Sequence, residues 1–222
     1  MCGRFTVRLP TSDLAAAFGI AETARETAPS FNVAPGREVP VVVDEGEGRR
    51  LDAFRWGLIP RWAKDPSIGE RLINARAETV ADKPAYRQAF LRRRCLILAD
   101  GFYEWKAEGT RKTPYFISLV GVPVFAFAGL WERWTPPGGE PVLSCAILTV
   151  EANAFMRPIH HRMPVILPPE AYGAWLDPHN GDRQALLALL KPCPSEGMQA
   201  HPVSTFVNAA RHDSIQCVLP LE

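Results

Sequence analysis

Hydrophobic positions in this chain recur mainly with the two-residue period of β-strands. Alternating or continuous apolar runs predict strands at CGRFTV (2–7), VPVVVDE (39–45), RRLDAFRW (49–56), RCLILADGFYEW (94–105), TPYFISLV (113–120), VPVFAFAGLWE (122–132), PVLSCAILTV (141–150) and MPVILP (163–168). The glycine-bearing turn GEG separates the second run from the third, which predicts a hairpin. The sheet therefore starts close to the N-terminus and continues through most of the chain.

Helical patterns are fewer and shorter. TSDLAAAFGI predicts a helix with Thr11 or Ser12 as N-cap and Gly19 near its end. KPAYRQAFLRRR predicts a second helix with Pro84 in its first turn, and DRQALLALL predicts a late third helix. Strands at hairpin spacing with scattered helices favour an α+β fold, in which mostly antiparallel strands curl into a barrel-like core with a few peripheral helices. The length of 222 residues favours a single domain over residues 1–222.

Composition is that of a globular protein, with 47% hydrophobic and 22% charged residues. No run approaches the roughly 20 apolar residues of a membrane span, and the N-terminus lacks the apolar stretch of a signal peptide. The five cysteines, an odd number without a C-x-x-C pair, favour neither a disulfide framework nor a zinc ribbon. We therefore expect a protein of the reducing cytoplasm.

Basic residues are concentrated in one part of the chain. The formal net charge is +1, but residues 49–94 contain twelve Lys or Arg against five Asp or Glu. Such a segment predicts a surface that meets an anionic partner, of which the phosphate backbone of nucleic acid is the commonest. The alternative for Arg92, Arg93 and Arg94 is a solvated helix face.

A cysteine follows the initiator methionine in MCGRF. Removal of Met1 would leave Cys2 with a free amine and a thiol on adjacent carbons, a pair that condenses with aldehydes to a Schiff base and then to a thiazolidine ring. In an extended strand Cys2 and Arg4 share a face, so the guanidinium would favour the thiolate, and Phe5 packs into the core. The alternative is a cysteine that is merely tolerated at this position.

Aromatic and basic side chains alternate in RWGLIPRWAKDPSIGERLINARAET, a composition that grips phosphates and offers flat faces to unstacked bases. Single-stranded nucleic acid fits this pattern. Asn74, Arg76 and Glu78 share a face if the segment is extended, so that Asn74 could hydrogen-bond a substrate while Arg76 holds a phosphate. Glu78 could instead only hold Arg76 in place, and Trp56 could instead be a core residue.

Two further segments carry acid and base candidates. In ADGFYEWK, Glu104 stands between two aromatic residues, where desolvation should raise its pKa and suit it to general acid–base catalysis. The alternative is a surface glutamate on an edge strand. In IHHRMP an extended chain would direct His160 and Arg162 one way and His161 the other. The paired histidines lack further ligands at metal-binding spacing, so we predict no metal and no cofactor.

Taken together, these segments resemble one family. The motifs that carry the resemblance are MCGRF, NVAPG, WGLIPRWA, INARAET, ADGFYEW, IHHRMP and the late HPVS, and they occur in order from end to end of the chain. They resemble the SOS-response-associated peptidase family, also called the SRAP or abasic-site-processing family. The resemblance implies an SRAP-type fold and a DNA-damage response protein that captures abasic sites in single-stranded DNA through a covalent thiazolidine link.

The resemblance also implies catalytic roles for four residues. By motif position Cys2 forms the crosslink, Asn74 and Glu104 are the assisting pair, and His160 is the second acid/base. The Schiff base implies a weak lyase activity by β-elimination, and the family is also classed as a peptidase, which implies an autoproteolytic hydrolase.

The DNA-binding residues follow in the same way. Arg4, Arg76 and Arg162 resemble the family's phosphate-contacting arginines, and Trp62 resembles an aromatic residue that supports DNA at the lesion. His161 departs from the pattern, because an acidic residue is expected there in many relatives. The expected partners are single-stranded DNA containing abasic sites and the replication machinery. We expect a monomer without membrane contact, in the cytoplasm and on the nucleoid when bound to DNA.

Two alternative functions belong to other classes. Glutamine amidotransferase domains of the N-terminal-nucleophile hydrolases also begin with Met-Cys-Gly, but here Arg4 and Phe5 follow, and the Asn-Gly pair at Asn180 lies late. The second alternative is a non-covalent reader of single-stranded or modified DNA, in which arginines and tryptophans alone bind the DNA.

Overall fold

The strands of this protein form two sheets. The computed structural model describes residues 2–221. Its strands are β1 (Arg4–Val7), β2 (Glu22–Thr23), β3 (Ser30–Val33), β4 (Glu38–Asp44), β5 (Arg49–Trp56), β6 (Asn74–Arg76), β7 (Arg94–Ala99), β8 (Gly101–Glu108), β9 (Arg111–Leu119), β10 (Phe125–Trp134), β11 (Val142–Glu151), β12 (Arg162–Pro164), β13 (Ile166–Leu167) and β14 (Met198–Pro202).

Helices are short and lie between the strands. The α-helices are α1 (Thr11–Ala17), α2 (Arg87–Arg92), α3 (Tyr172–Leu176) and α4 (Arg183–Leu189). Short 3-10 helices cover Pro66–Arg71, Pro169–Ala171, Thr205–Asn208 and Ile215–Cys217. Within residues 2–221 every helix falls short of the length and apolar character needed to cross a membrane.

One sheet is antiparallel and the other closes on itself. The first has the order β14-β9-β8-β1-β3, and the second the order β12-β11-β10-β7-β4-β5-β2. In the second sheet β5 also pairs in parallel with β11 at Ser144–Arg55 and Cys145–Trp56, so the strands β11-β10-β7-β4-β5 form a closed ring. The predicted α+β fold of mostly antiparallel strands that curl into a barrel is confirmed.

Aromatic side chains join the two sheets in one core. Phe5 of the first sheet meets Trp56 with 5.0 Å between ring centroids and Phe127 with 5.8 Å, and all three are fully buried. Phe102 packs edge-on to Phe127 from the neighbouring strand. Such edge-to-face pairs add to the burial of the rings themselves. β1 is therefore fixed on both flanks by strands and on its inner face by this cluster.

The predicted helices form at the predicted places with different starts. α1 has Pro10 at its N-cap without a side-chain cap, and Thr11 Oγ1 instead donates a hydrogen bond to the Thr27 carbonyl at 3.1 Å, so the capping role predicted for Thr11 or Ser12 is wrong. Gly19, at φ 63°, ends this segment as predicted. Residues 83–86 form a turn, and α2 begins only at Arg87.

The long strand predicted over residues 94–105 is divided between the two sheets at Asp100. The buried Asp100 carboxylate accepts hydrogen bonds from Thr6 Oγ1 and from the Arg8 backbone N–H, the latter at 2.6 Å. The carboxylate takes the place of a ladder partner and turns the chain from β7 into β8. The hairpin of β4 and β5 is confirmed, whereas the short strands β3, β6 and β14 were not predicted.

Gly101 provides a test of this junction. A Cβ atom there would lie 2.3 Å from the Phe116 ring and 3.0 Å from Thr6 Oγ1. Gly101→Ala should therefore lower the free energy of unfolding by about 1–3 kcal/mol, because overpacking forces ring or backbone to shift. Urea denaturation measures the change. Gly181→Ala is the matched control, since nothing lies within 4 Å of its Cβ; equal stability of the two variants would contradict the prediction.

Candidate active site

Cys2 is placed by strand pairing and one hydrogen bond. β1 runs antiparallel to β8 with Arg4 opposite Tyr103, so the chain before Arg4 continues toward Glu104 and its neighbours. Asn74 Nδ2 donates a 2.7 Å hydrogen bond to the Cys2 carbonyl. Cys2 is fully buried, and the free amine predicted for it requires removal of Met1, which lies outside the described residues.

The Cys2 thiol is protonated at neutral pH. Burial raises its pKa well above the ordinary range, and the nearby charge of Glu104 raises it further. The prediction that Arg4 favours the thiolate is wrong, because the contact between the two residues runs from Cys2 Sγ to the Arg4 carbonyl oxygen at 3.8 Å. The strand alternation behind that prediction does not apply, since β1 begins only at Arg4. Phe5 does pack into the core as predicted.

The Arg4 guanidinium is directed at the C-terminal part of the chain. Its Nη1 donates to Asn32 Oδ1 at 2.9 Å and to the Val207 carbonyl at 2.8 Å, and its Nη2 donates to the Asn208 carbonyl at 3.2 Å. These acceptors are all internal to the chain. A contact between Arg4 and a DNA phosphate stays a prediction.

Glu104 lies on β8 between β1 and β9, with 3% of its surface exposed, so it is not a surface residue on an edge strand. Burial raises the pKa of its carboxyl group, as the apolar sequence context predicted. Because the charges of Glu104 and Cys2 influence one another, the two groups lie within electrostatic reach. A carboxyl group with a raised pKa therefore lies within electrostatic reach of the thiol.

His160 lies two residues before β12, next to a bend at His161. The Arg162 backbone N–H donates to His160 Nδ1 at 2.9 Å, and the Arg162 carbonyl oxygen lies 3.0 Å from the same nitrogen. Nδ1 can therefore accept in the neutral ring and donate in the protonated ring. Burial lowers the pKa of His160, so the neutral form dominates at neutral pH.

His161 stacks on His160 instead of pointing away from it. The ring centroids are 4.4 Å apart with an interplanar angle of 28°. The prediction that the two side chains face opposite ways is wrong, because the chain bends here and strand alternation needs an extended backbone. The neighbouring His160 charge lowers the pKa of His161.

Two pockets meet at this histidine pair. The first, called here the Glu104 pocket, has a volume of 480 Å³ and is lined by Glu104, Trp105, Lys112, His160 and Asn208. The second, called here the arginine pocket, has a volume of 400 Å³ and is lined by Arg76, Glu151, Ala152, Arg157, His161 and Arg162. Lys112, Arg157 and Asn208 were not among the predicted site residues. Arg157 could have been found as a further cation three residues before His160, whereas Lys112 and Asn208 carry no local signal.

Two of the predicted arginines flank the end of β11. Arg76 of β6 is opposite Thr149 of β11 and is exposed. Arg162 is 7% exposed and forms a two-pronged ion pair with Glu78 at 2.6 and 3.0 Å, while its Nη2 also donates to the Thr149 carbonyl at 2.6 Å. Glu78 therefore holds Arg162 and not Arg76, which corrects the alternative role suggested for it.

The two tryptophans of the basic segment have separate environments. Trp56 is fully buried and its Nε1 donates to the Ile73 carbonyl at 2.9 Å, so it is a core residue. Trp62 is 60% exposed, which leaves its ring available to a ligand. Among residues 2–221 no group of three or more His, Cys, Asp or Glu side chains is arranged to hold a metal ion. All five cysteines are free.

Comparison with known proteins identifies the family. The family model of the SOS response associated peptidase (SRAP) matches residues 1–210. The chain belongs to the SRAP family. The resemblance drawn from the seven sequence motifs is thereby confirmed.

Similar SRAP proteins cover nearly the whole chain. The chain is 43% identical over 221 residues to the abasic site processing protein YoqW of Bacillus subtilis, covering 98% of this chain and 99% of that protein. It is 37% identical over 226 residues to the abasic site processing protein HMCES of Gallus gallus, covering 87% and 67%. A crystal structure of a protein from Bacteroides thetaiotaomicron has a TM-score of 0.91 at 27% identity and covers 100% of both chains.

The Arg162–Glu78 pair generates a stability prediction. Glu78→Gln should lower the free energy of unfolding at pH 7 by about 1–2 kcal/mol, because Arg162 stays buried without its counter-charge. The loss is limited to this size because Glu78 is exposed, where solvent weakens an ion pair. Arg162 holds the pKa of Glu78 below its ordinary value of 4.5. The pair therefore stabilises the fold above that pH, and the difference between wild type and variant should vanish as the pH falls through the lowered pKa.

Urea titrations at several pH values measure this difference. Glu151→Gln is the matched control, since Glu151 is exposed and lines the arginine pocket together with Arg162, and its loss should change stability by less than about 0.5 kcal/mol. A loss of stability for Glu78→Gln that persists unchanged at pH 3 would contradict the assignment.

Proposed function

We propose that this protein captures abasic sites in single-stranded DNA by forming a thiazolidine crosslink through Cys2. Relatives that match nearly the full chain carry the name abasic site processing protein, which supports DNA-damage abasic site processing as its role. One observation carries the covalent mechanism: a buried thiol stands within electrostatic reach of a buried carboxyl group, and that group shares a pocket with a neutral histidine. An aldehyde that entered this pocket would meet two proton carriers, one of which lies within electrostatic reach of the Cys2 thiol.

The proposed reaction forms two bonds to the aldehyde carbon. After Met1 removal, the Cys2 amine attacks the aldehyde of the ring-opened deoxyribose and gives a carbinolamine, which loses its hydroxyl as water to form the imine. The thiol sulfur then adds to the imine carbon, and its proton goes to the nitrogen. The adduct is therefore lighter than the sum of its parts by one water. Holding aldehyde, amine and thiol together is worth up to about 7–11 kcal/mol in well-oriented cases.

Glu104 is the proposed acid for the loss of water. Its raised pKa leaves a protonated fraction at pH values where an exposed glutamate is fully ionised. The carbinolamine hydroxyl needs such a proton in order to leave. His160 is the proposed second acid/base, since its neutral ring can take a proton that the amine releases and its Nδ1 has a backbone acceptor ready in the protonated state.

Asn74 supplies the remaining polar contact. Its Nδ2 is used on the Cys2 carbonyl, and its Oδ1 is buried with no hydrogen-bond partner among the described residues. A buried carbonyl oxygen without a partner is costly, and a donor that arrives with the reaction offsets that cost. We assign this oxygen to the amine or to the carbinolamine hydroxyl, which orients the attacking group.

The proposed DNA surface lies on the arginine side of the site. Arg76 is exposed at the pocket edge and Trp62 presents a free ring face, which suits phosphate binding and stacking on an unpaired base. Arg162, held by Glu78, adds positive charge behind the pocket, and its direct contact with a phosphate is part of the proposal. Duplex DNA is disfavoured because splaying the sugar into the site costs a few kcal/mol when its neighbours are stacked. We further propose that the protein works as a monomer in the cytoplasm, on the nucleoid when bound to DNA.

The nucleophile is tested by intact mass. Purified wild-type protein, with Met1 removed, should form an adduct with a single-stranded oligonucleotide that carries one abasic site. This adduct should weigh one water less than the sum and should survive denaturant without borohydride. Cys2→Ala should give no such stable adduct. Cys2→Ser should retain an imine that borohydride traps, together with strand cleavage by β-elimination, but no stable ring.

Equal stability of the wild-type and Cys2→Ser adducts would exclude ring closure by the thiol. If wild type forms no adduct, two further assays distinguish the alternative functions. Glutamine hydrolysis would indicate the amidotransferase alternative, and binding that denaturant reverses would indicate a non-covalent reader. Cleavage of a peptide that has been fused to the protein ahead of Cys2 would indicate peptidase activity.

The acid role of Glu104 is tested by rate. Glu104→Gln should slow adduct formation by about 10²–10⁴-fold near neutral pH, because the amide cannot deliver the proton that expels water. As the pH rises through the raised pKa of Glu104, wild type loses its acid, so the ratio of the two rates should shrink. Glu108→Gln, on the same strand and exposed, is the control and should react like wild type. An unchanged rate for Glu104→Gln would remove this residue from the mechanism.

A further inference from the structure

The orientation of the Asn208 amide is fixed by Trp105. The Trp105 indole Nε1 donates a 2.8 Å hydrogen bond to Asn208 Oδ1. An indole N–H is a donor only, so the oxygen end of the amide must face it and the Nδ2 end must face away. Nδ2 makes no hydrogen bond to any residue of the described chain, and Asn208 lines the Glu104 pocket. The amide therefore offers two N–H donors at the wall of the pocket.

The main chain that carries Asn208 is also fixed. Arg4 donates to the carbonyls of Val207 and Asn208, and Asn32 Nδ2 donates to the Val207 carbonyl at 3.1 Å and to the His212 carbonyl at 2.7 Å. Asn32 is 2% exposed, so these bonds are shielded from water. Arg4 stands two residues from Cys2, which ties the wall of the pocket to the segment that carries the nucleophile. Arg4 and Asn32 are positioning residues for this wall.

Lys112 brings positive charge to the same pocket. It lies on β9 opposite Ala107 of β8, it is exposed, and it forms no ion pair within residues 2–221. Its charge reaches His160, whose protonation it disfavours. The ammonium of Lys112 and the Nδ2 of Asn208 are both donors without acceptor atoms. A ligand that pairs with both must be an acceptor and is favoured if it is an anion.

We propose that Asn208 and Lys112 form a subsite for the phosphodiester on one side of the abasic nucleotide. The inference rests on the proposed function, since that function places the lesion sugar between Glu104 and His160. The stacked histidines separate this subsite from the arginine pocket. In that pocket, Arg76 and Arg157 would bind the phosphate on the other side of the abasic nucleotide. The lesion sugar is thus held at both of its phosphates, and its aldehyde carbon is the part left free to reach Cys2.

The subsite is tested by binding without chemistry. The probe is a single-stranded oligonucleotide with a tetrahydrofuran abasic analogue, which has no aldehyde and cannot crosslink. Lys112→Gln and Asn208→Asp should each weaken binding about tenfold, because the first removes the positive charge that pairs with the phosphate and the second removes the N–H donors. Asn208→Asp keeps the acceptor for Trp105 but places negative charge beside the phosphate. The slope of log K against log salt should fall by about 0.7 for Lys112→Gln.

Arg111→Gln is the matched control. It removes one positive charge from the adjacent residue of β9, which is exposed and does not line the Glu104 pocket. This variant should bind within twofold of wild type. If Arg111→Gln loses as much affinity as Lys112→Gln, general charge and not a subsite explains the effect, and the proposal is overturned.

A neutral phosphate analogue locates the contact. One oligonucleotide carries a methylphosphonate on the 5′ side of the analogue and a second carries it on the 3′ side. Wild type should bind each methylphosphonate oligonucleotide about tenfold more weakly than the unmodified one. For one of the two oligonucleotides, Lys112→Gln and Asn208→Asp should show no such loss of affinity, because they already lack the contact to that phosphate. Undiminished losses for both oligonucleotides in both variants would overturn the subsite. Crosslinking of an aldehyde-bearing oligonucleotide by wild type tests the proposed function separately, because the binding assay needs no covalent step.

Discussion

The site depends on how firmly the first residues of the chain are held. Chain termini are ordinarily among the least ordered parts of a domain. Here the strand that follows Cys2 is an inner strand, paired with β3 on one side and β8 on the other, and Phe5 anchors it in the aromatic core. The Asn74 hydrogen bond then fixes the carbonyl of Cys2 itself. Cys2, the proposed nucleophile, thereby acquires the fixed position of a core residue, and the entropy of ordering it is offset by core packing that the fold requires in any case.

Burial has opposite effects on the two kinds of titratable group in this site, and both effects favour neutral forms. Desolvation raises the pKa of Glu104 and of the Cys2 thiol, and it lowers the pKa of His160. A carboxylic acid and an imidazole whose pKa values move toward each other can exchange protons with little loss of free energy. A condensation that first releases and then consumes protons benefits from this arrangement. The protonated thiol is compatible with an amine that attacks first and a sulfur that closes the ring afterwards.

Local sequence patterns predicted the elements of the site better than they predicted its contacts. The hairpin of β4 and β5, the buried Phe5 and the raised pKa of Glu104 follow from alternation and neighbouring apolar residues, because these are properties of a short segment. The partners of Arg4 and Arg162 lie far away along the chain, so no pattern around MCGRF or IHHRMP could have indicated them. The stacked histidines escaped prediction for another reason, since the alternation rule was applied to a bend.

Counting charges along a sequence overestimates the cations that a ligand can reach. The run of three arginines at residues 92–94 includes Arg94, which is 2% exposed and donates to the carbonyls of Phe90 and Trp175, where helices α2 and α3 end. Its neighbour Arg93 pairs with the buried Glu132 at 2.6 Å. Arginine suits such positions because its planar group carries five donors and can satisfy several carbonyls at once. The basic segment therefore divides by burial: Arg93 and Arg94 are bound to groups of the protein itself, and an exposed arginine such as Arg76 is accessible from solvent.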